Sequence, residues 1–130
     1  QKFIFIKQYR HGVNGLTWEI PGGAIDFGEE DLAAAKRELL EETGHTAKEW
    51  ADLGSVSPNP SFMGNYCRTY LALGAELTHE QSLDPFEEIE VDLFEYEEVG
   101  DLVTKEESNH ALVIAAFYLY EQYLKRQGPS

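Results

Sequence analysis

Residues 30 to 44, EDLAAAKRELLEETG, carry the signals of a helix with both of its ends marked. Glu30 and Asp31 suit the positive N-terminal end of a helix dipole, and Gly44 is the residue type that commonly ends a helix. We therefore predict a helix that runs through LAAAKRELLEET to a stop at Gly44.

Three glutamates of this helix, Glu38, Glu41 and Glu42, fall on one face. At about 100° per residue they share an arc of about 100°, and like charges one turn apart cost roughly 0.2–0.5 kcal/mol per pair. No Lys or Arg falls on this arc, so a cation is expected to relieve the repulsion, and Mg²⁺ or Mn²⁺ would take such oxygen ligands. The alternative is a solvated acidic helix face. The core-facing stripe is predicted opposite, at Leu32, Ala33, Leu39 and Leu40.

The rest of the chain combines strand signals with one further helix. Strands are predicted at residues 2–9, 16–20, 52–57, 67–73 and 89–95, and a final helix opens on Ser108 or Asn109. The elements interleave without the regular alternation of a doubly wound sheet, which favours an α/β fold of the mixed α+β kind, with helices packed against a mixed sheet. Because 130 residues is the size of one domain, residues 1–130 are predicted to form a single domain.

The chain is strongly acidic, with 24 Asp and Glu against 10 Lys and Arg and a formal net charge of −14. Nucleic acids and anionic membranes bind clustered Lys and Arg, so this charge argues against either as the main partner. The acidic segment EYEEVGDLVTKEE, residues 95–107, is predicted to be solvated surface.

The sequence also bears on the cellular compartment. It contains neither a long apolar run of the membrane-spanning type nor a signal peptide. Cys67 is the single cysteine, so no intramolecular disulfide can form, which suits a cytoplasmic location; we expect Cys67 to be buried in a strand. Because the sequence starts at Gln1 rather than Met, we expect that a preceding segment is missing.

From Gly23 to His45 the sequence reads G, five residues, E, seven residues, RELLEETGH. This spacing resembles the Nudix box, G-x5-E-x7-R-E-U-x-E-E-x-G-U, in which U is a bulky aliphatic residue. The match covers 23 of the 130 residues, and His45 departs from it at the final aliphatic position. The matching positions are Gly23, Glu29, Arg37, Glu38, Leu39, Glu41, Glu42 and Gly44.

The resemblance implies a Nudix fold, in which a central mixed sheet lies between helices and the box forms a loop, a helix and a loop. It also implies hydrolysis of a nucleoside diphosphate linked to another moiety, with Mg²⁺ or Mn²⁺ as the cofactor. Because a pyrophosphate is an anion, metal ions must bridge it to the glutamates, withdraw charge from the phosphoryl oxygens and acidify the attacking water.

Position by position, the resemblance assigns roles to the acidic residues of the box. Glu38 and Glu42 are the expected metal ligands, and Glu41 is a further ligand or the group that activates water. The Gly22 carbonyl is expected as a backbone ligand, and Glu29 would complete or position the set.

Other catalytic roles are expected outside the metal-binding set. Arg37 lies off the carboxylate arc and is expected to orient a glutamate through a bidentate salt bridge. Several relatives supply the general base from a loop before the last strand. In this chain that loop is GAELTHEQSLDPFEE, and Glu87 and Glu88 are the candidates. The alternative for each is a solvated loop charge.

Features beyond the box resemble the ADP-ribose pyrophosphatase branch: Pro60, 16 residues after Gly44, the sequence QYR followed by EIPGG, and NHALVIAAF in the last helix. An Arg that ends the first strand contacts substrate phosphates in that branch, and Arg10 holds this position, with a solvated strand end as the alternative. Asn65 stands where many ADP-ribose enzymes carry Glu, so the predicted class is the wider one of nucleoside diphosphate sugars. The predicted substrate-binding residues are Arg10, Gly23, Phe62 and Asn65.

These features predict a Nudix pyrophosphohydrolase that converts a nucleoside diphosphate sugar, such as ADP-ribose or GDP-mannose, to a nucleoside monophosphate and a sugar phosphate. The alternatives are a pyrophosphatase that removes damaged nucleoside triphosphates and a non-catalytic module that senses nucleotide sugars. Members of this branch are often dimers, so a homodimer is expected.

Overall fold

The computed structural model describes residues 2–10, 15–22, 28–58, 61, 66–85 and 88–127, without the side chain of Arg10. The elements, in chain order, are β1 (Lys2–Arg10), β2 (Gly15–Glu19), α1 (Asp31–Thr43), β3 (His45–Thr46), β4 (Glu49–Val56), β5 (Cys67–Leu73), β6 (Glu76–Leu77), β7 (Glu90–Glu95), α2 (Tyr96–Thr104) and α3 (Ala111–Gln127).

Strand β1 is the centre of a three-stranded antiparallel sheet in the order β2-β1-β7. Its apolar alternation places neighbouring residues on opposite faces, and both faces are covered: Phe5 is 0% exposed and Ile6 is 1% exposed. Phe5 packs with Val99, Leu102 and Val113 in the main hydrophobic cluster. This sheet therefore joins the N-terminal strand to the C-terminal helices.

The other strands form two small sheets, β4 with β5 and β3 with β6. All strand pairs among the described residues are antiparallel. One mixed sheet was expected from the sequence, whereas these residues form three antiparallel sheets. The predicted mixed α/β fold class is confirmed.

Helix α1 begins and ends where the sequence indicated. Gly44 adopts a left-handed conformation with φ of 72°, and its N–H donates to the Leu40 carbonyl at 2.8 Å, which closes the helix. The predicted core-facing stripe was partly wrong, because Ala33 is exposed whereas Ala34 and Glu42 are buried. The reason is that the chain also covers the glutamate side of α1, where the Gly22 N–H donates to Glu42.

Most of residues 95–107 are exposed, which agrees with the predicted solvated surface, but they also contain helix α2, which was not predicted from the sequence. Glu95 and Glu98 form a reciprocal capping box at its start, and Val99 and Leu102 are buried beneath it. Both capping residues are acidic, and Glu97 and Asp101 lie among them and the buried positions, so the acidic composition hid the helix.

Helix α3 begins later than predicted. His110, rather than Ser108 or Asn109, caps it, because the Leu112 N–H donates to His110 Nδ1 at 3.0 Å. Ser108 is fully buried, and its hydroxyl donates to the Trp18 carbonyl at 2.6 Å. Ser108 therefore joins the α2–α3 connection to β2.

Two predictions about the chain as a whole can be compared with these elements. None of the described helices is long and apolar enough to cross a membrane. Cys67 lies in β5 as predicted but is only half-buried, and burial raises the pKa of its thiol.

Candidate active site

Gly22, which follows β2, contacts the C-terminal half of α1. The Gly22 N–H donates to Glu42 Oε1 at 2.9 Å, and Glu42 is only 5% exposed. Pro21 and Gly22 thus bring the backbone next to this carboxylate, and Gly22 is the residue whose carbonyl was expected as a metal ligand. A buried carboxylate held by a backbone N–H has a fixed orientation.

Arg37 lies at the centre of the remaining carboxylates. Its Nε and Nη2 donate to the two carboxylate oxygens of Glu29 at 2.8 and 3.0 Å, which is a bidentate pair. Its Nη1 lies 3.0 Å from Glu38 Oε1 and 3.1 Å from Glu41 Oε2. One guanidinium therefore contacts three of the four glutamates of the Nudix-like motif.

This arrangement corrects the expectation that no basic residue relieves the crowded glutamates. Arg37 lies off their arc on the helix, but it is four residues before Glu41, and its long side chain reaches back across the face. Positions on a helix describe where side chains start and not where their charged ends lie. The repulsion is therefore partly relieved without a metal ion.

The four carboxylates differ in their access to solvent. The side chains of Glu29 and Glu38 are each 15% exposed, whereas that of Glu41 is 42% exposed. Glu42 is the most buried of the set. Glu41 is thus the carboxylate that a ligand in solution reaches most directly.

Nudix hydrolases generally use a divalent metal ion. Carboxylate oxygens beside a backbone turn are the ligands that a hard cation prefers, so the donor set suits one. Within the described residues, no three His, Cys, Asp or Glu side chains converge closely enough to hold an ion. Glu38 Oε1 and Glu41 Oε2 contact Arg37 instead, and because a carboxylate has two oxygens with several lone pairs, these contacts do not prevent either residue from binding an ion.

The loop that precedes β7 contributes one of the two proposed bases to the described structure. Glu88 is exposed and helps to line an open cavity of about 470 Å³. The other lining residues are Lys7, Tyr9, Leu16, Leu83, Ile89 and Glu90. No interaction of Glu88 with the carboxylates of α1 is recorded among the described residues, so the structure does not bring it into their network.

Several predicted site residues lie outside the described residues. They are Gly23, Phe62, Asn65 and Glu87, together with Pro60. The backbone of Arg10 ends β1 opposite Gly15, but its side chain is not described. Their proposed contacts with substrate stay predictions.

Sequence patterns did not identify two residues whose hydrogen bonds the structure shows around this region. Glu19, at the end of β2, is only 4% exposed and accepts a hydrogen bond from the Thr17 hydroxyl at 2.5 Å. Gln81 donates to the Glu42 carbonyl at 2.7 Å from the loop after β6. The position of Glu19 just before Pro21-Gly22 could have indicated the first, whereas no local pattern marks Gln81.

Comparison with known proteins identifies the class to which this fold and site belong. The family model of the NUDIX domain matches residues 1–117, so the chain belongs to the Nudix family. The resemblance found in the 23-residue motif is thereby confirmed over most of the chain.

Two individual proteins of known name are similar to this chain in sequence. The chain is 36% identical over 91 residues to an ADP-ribose pyrophosphatase of Bacillus subtilis strain 168, covering 69% of this chain and 49% of that protein. It is 29% identical over 127 residues to the ADP compounds hydrolase NudE of Escherichia coli strain K12, covering 96% of this chain and 67% of that protein. The chain thus spans about half the length of the Bacillus relative that it matches.

A solved structure confirms the predicted fold. The crystal structure of an ADP compounds hydrolase superimposes with a TM-score of 0.85 at 28% identity, covering 98% of this chain and 68% of that one. The described elements therefore adopt a Nudix fold.

Proposed function

We propose that this chain hydrolyses the pyrophosphate bond of a nucleoside diphosphate sugar of the ADP-ribose class, with Mg²⁺ or Mn²⁺ as the cofactor. The observation that carries the proposal is the arrangement of Glu29, Arg37, Glu38, Glu41 and Glu42, which places one guanidinium and four carboxylates around a single helix face. Water attacks one phosphorus atom and the P–O–P bridge breaks, which yields a nucleoside monophosphate and a sugar phosphate.

The residues of α1 have distinct parts in this reaction. Glu38 and Glu42 are the proposed metal ligands, with the Gly22 carbonyl as a backbone ligand and Glu41 as a further ligand or the group that accepts a proton from water. A divalent ion bound there would withdraw charge from the phosphoryl oxygens and lower the pKa of the attacking water. The Gly22 N–H fixes one oxygen of Glu42, which keeps that carboxylate from rotating freely.

Arg37 and Glu29 serve a supporting part. Their bidentate pair holds Glu29 beside α1, and the third nitrogen of Arg37 contacts one oxygen each of Glu38 and Glu41, which orients both carboxylates. Glu88 is the proposed general base in the described part of the loop, with Glu87 as the second candidate.

Similarity to relatives supports the substrate class. The Bacillus relative is named an ADP-ribose pyrophosphatase, and the Escherichia relative and the superimposed structure are named ADP compounds hydrolases. We therefore propose an ADP compound as the substrate, with Arg10 contacting its phosphates and Gly23, Phe62 and Asn65 contributing to its binding.

Turnover of ADP-ribose, GDP-mannose, UDP-glucose and a nucleoside triphosphate, each with Mg²⁺, Mn²⁺ or chelator, tests the proposal. Metal-dependent release of AMP from ADP-ribose is the expected result, with the nucleoside triphosphate the poorest substrate. Preferred hydrolysis of the triphosphate would favour a house-cleaning enzyme instead, and binding of ADP-ribose without product would favour a sensor.

Glu42→Gln provides the matched site variant, with Glu49→Gln as the control because Glu49 is exposed on β4 and loses the same charge. Glu42→Gln should reduce kcat by about 10³-fold, which corresponds to several kcal/mol of lost transition-state stabilisation. Without metal its free energy of unfolding should stay equal or rise slightly, because one like-charge repulsion disappears. A large loss of stability in this variant would instead make Glu42 a structural residue.

The assembly and the compartment stay predictions. A homodimer is testable by size-exclusion chromatography with light scattering, and a cytoplasmic location by cell fractionation. The single domain predicted over residues 1–130 is testable by the cooperativity of unfolding.

A further inference from the structure

The segment that follows β6 caps the C-terminal end of the catalytic helix. The last carbonyls of a helix have no partner within it, and here this segment supplies their donors. The Ser82 N–H donates to the Glu41 carbonyl at 2.8 Å, and the Thr78 and His79 N–H groups donate to the Gly44 carbonyl at 2.9 and 3.0 Å. The end of α1 and the start of the loop toward β7 are thus one hydrogen-bonded unit.

Gln81 extends this unit to the far end of the loop. Its Nε2 donates to the Glu42 carbonyl at 2.7 Å and to the Ile89 carbonyl at 3.1 Å. A side-chain amide has two N–H donors, so it can make both hydrogen bonds at once. One side chain therefore ties the backbone of the metal-binding helix to the backbone just before β7.

The second hydrogen bond fixes the residue that follows Glu88. Ile89 is 7% exposed, so its side chain is anchored by burial while its carbonyl is held by Gln81. Consecutive Cα atoms lie about 3.8 Å apart, so the Cα atom of Glu88 is held close to that of the anchored Ile89. Its own side chain stays exposed and available to a ligand.

We propose that Gln81 is a positioning residue that sets the distance between the carboxylates of α1 and Glu88. The inference rests on the proposed function, because it takes Glu88 as the group that accepts the proton from water. Gln81 does not contact substrate in this proposal; it acts through the backbone at both ends of the loop.

Gln81→Met tests the tether, because Met has a similar length and lacks the amide donors. A small misplacement of a reacting group lowers the rate without removing binding, so kcat should fall about 10- to 100-fold while KM changes less than about twofold. Gln81→Lys, which restores a donor on a long side chain, should recover part of the loss. Glu80→Met is the control, because Glu80 is the exposed neighbour and makes no recorded interaction with the described residues.

A double-mutant cycle with Glu88→Gln separates positioning from general destabilisation. If Gln81 acts through Glu88, then Gln81→Met should reduce kcat by less than about twofold once Glu88 is already Gln, because the two effects are coupled. In the pH–rate profile, the fall in rate at low pH reports protonation of the general base. This fall should be less steep in both single variants than in the wild type. Additive losses in the cycle, with the pH limb unchanged in Gln81→Met, overturn the proposal.

Hydrogen exchange gives a measurement that does not depend on turnover. In Gln81→Met the amides of residues 88–90 should exchange faster than in the wild type, with the midpoint of global unfolding unchanged. Unchanged exchange in an active protein overturns the tether and leaves the proposed function intact. Wild-type protein that turns over none of the four nucleotides overturns the proposed function, and with it the role of Gln81 in positioning a base.

Discussion

Arg37 and Glu29 form a bidentate ion pair, with nitrogen–oxygen distances of 2.8 and 3.0 Å, between the middle of α1 and the segment before it. The planar fork of a guanidinium matches the two oxygens of a carboxylate, and the remaining nitrogen of Arg37 is left to face Glu38 and Glu41. A lysine offers a single charged nitrogen and cannot make both sets of contacts. The identity of this residue as arginine is therefore part of the site.

Arg37→Lys should lower turnover by about 10- to 100-fold and weaken metal binding by a similar factor, because supporting contacts to ligand residues have effects of this size. Kinetics with Mn²⁺ and calorimetric titration of the metal check both effects. Arg68→Lys is the matched control, since Arg68 also bridges two carboxylates, Asp31 and Asp52, but on the exposed surface. Equal losses in the two variants would show that the effect is not specific to the site.

A second prediction concerns Gly44, which ends α1 where the loop from β6 returns. A Cβ atom at Gly44 would lie 2.0 Å from the His79 carbonyl oxygen, and φ is 72°. Gly74 has a similar φ of 65°, but in the described part of the chain no atom beyond its own neighbours lies within 4 Å of its Cβ position. Gly74→Ala should therefore cost only the backbone strain of about 1–2 kcal/mol, whereas Gly44→Ala should cost more than about 3 kcal/mol.

Urea unfolding followed by circular dichroism measures both glycine variants. The difference between them isolates the steric contact with His79, because the strain of the left-handed conformation is common to both. Similar losses for the two variants would mean that the loop from β6 can move away from the end of α1. Such movement would also mean that Gln81 does not hold this loop firmly in place.

The elements that local patterns determine could be predicted from the sequence. The alternation in β1 and the Gly44 stop of α1 depend only on neighbouring residues, and both agree with the structure. Helix α2 could not be predicted in the same way, because its stability depends on burying Val99 and Leu102 against Phe5 of β1, which is distant in sequence. The residues of the Nudix-like motif could be named from their spacing. The contact of Gln81 with the Glu42 carbonyl could not, because these residues are 39 positions apart and only the tertiary fold brings them together.

Glu106 offers a third prediction, about stability rather than activity. It is an exposed non-glycine residue with φ of 60°, a conformation that asparagine tolerates better than glutamate does. Glu106→Asn should therefore raise the free energy of unfolding by about 0.5–1 kcal/mol. Glu106→Gln is the control, because it removes the same charge and leaves the strain. If both variants gain equally, relief of acidic repulsion rather than backbone strain explains the result.

The last prediction concerns stability at high pH. The Tyr96 hydroxyl donates to Glu121, and this hydrogen bond, aided by burial, raises the pKa of Tyr96 to about 12. An ordinary tyrosine has a pKa of about 10, so the folded state keeps its proton over a range in which the unfolded state loses it. The stabilisation is therefore fully present below about pH 10 and is lost as pH rises toward about 12.

Tyr96→Phe tests this dependence, because Phe keeps the ring contacts with Phe3 and Phe117 and removes the titrating group. The variant should be less stable than the wild type at pH 9, and the gap should close as the pH approaches 12. Glu121→Gln should shift the closing of this gap to lower pH, since it removes the charge that holds the phenol neutral. Only the proton on Tyr96 is sensitive to pH. A difference in the free energy of unfolding between the two proteins that stays constant from pH 9 to 12 would therefore contradict the prediction, because it would not depend on that proton.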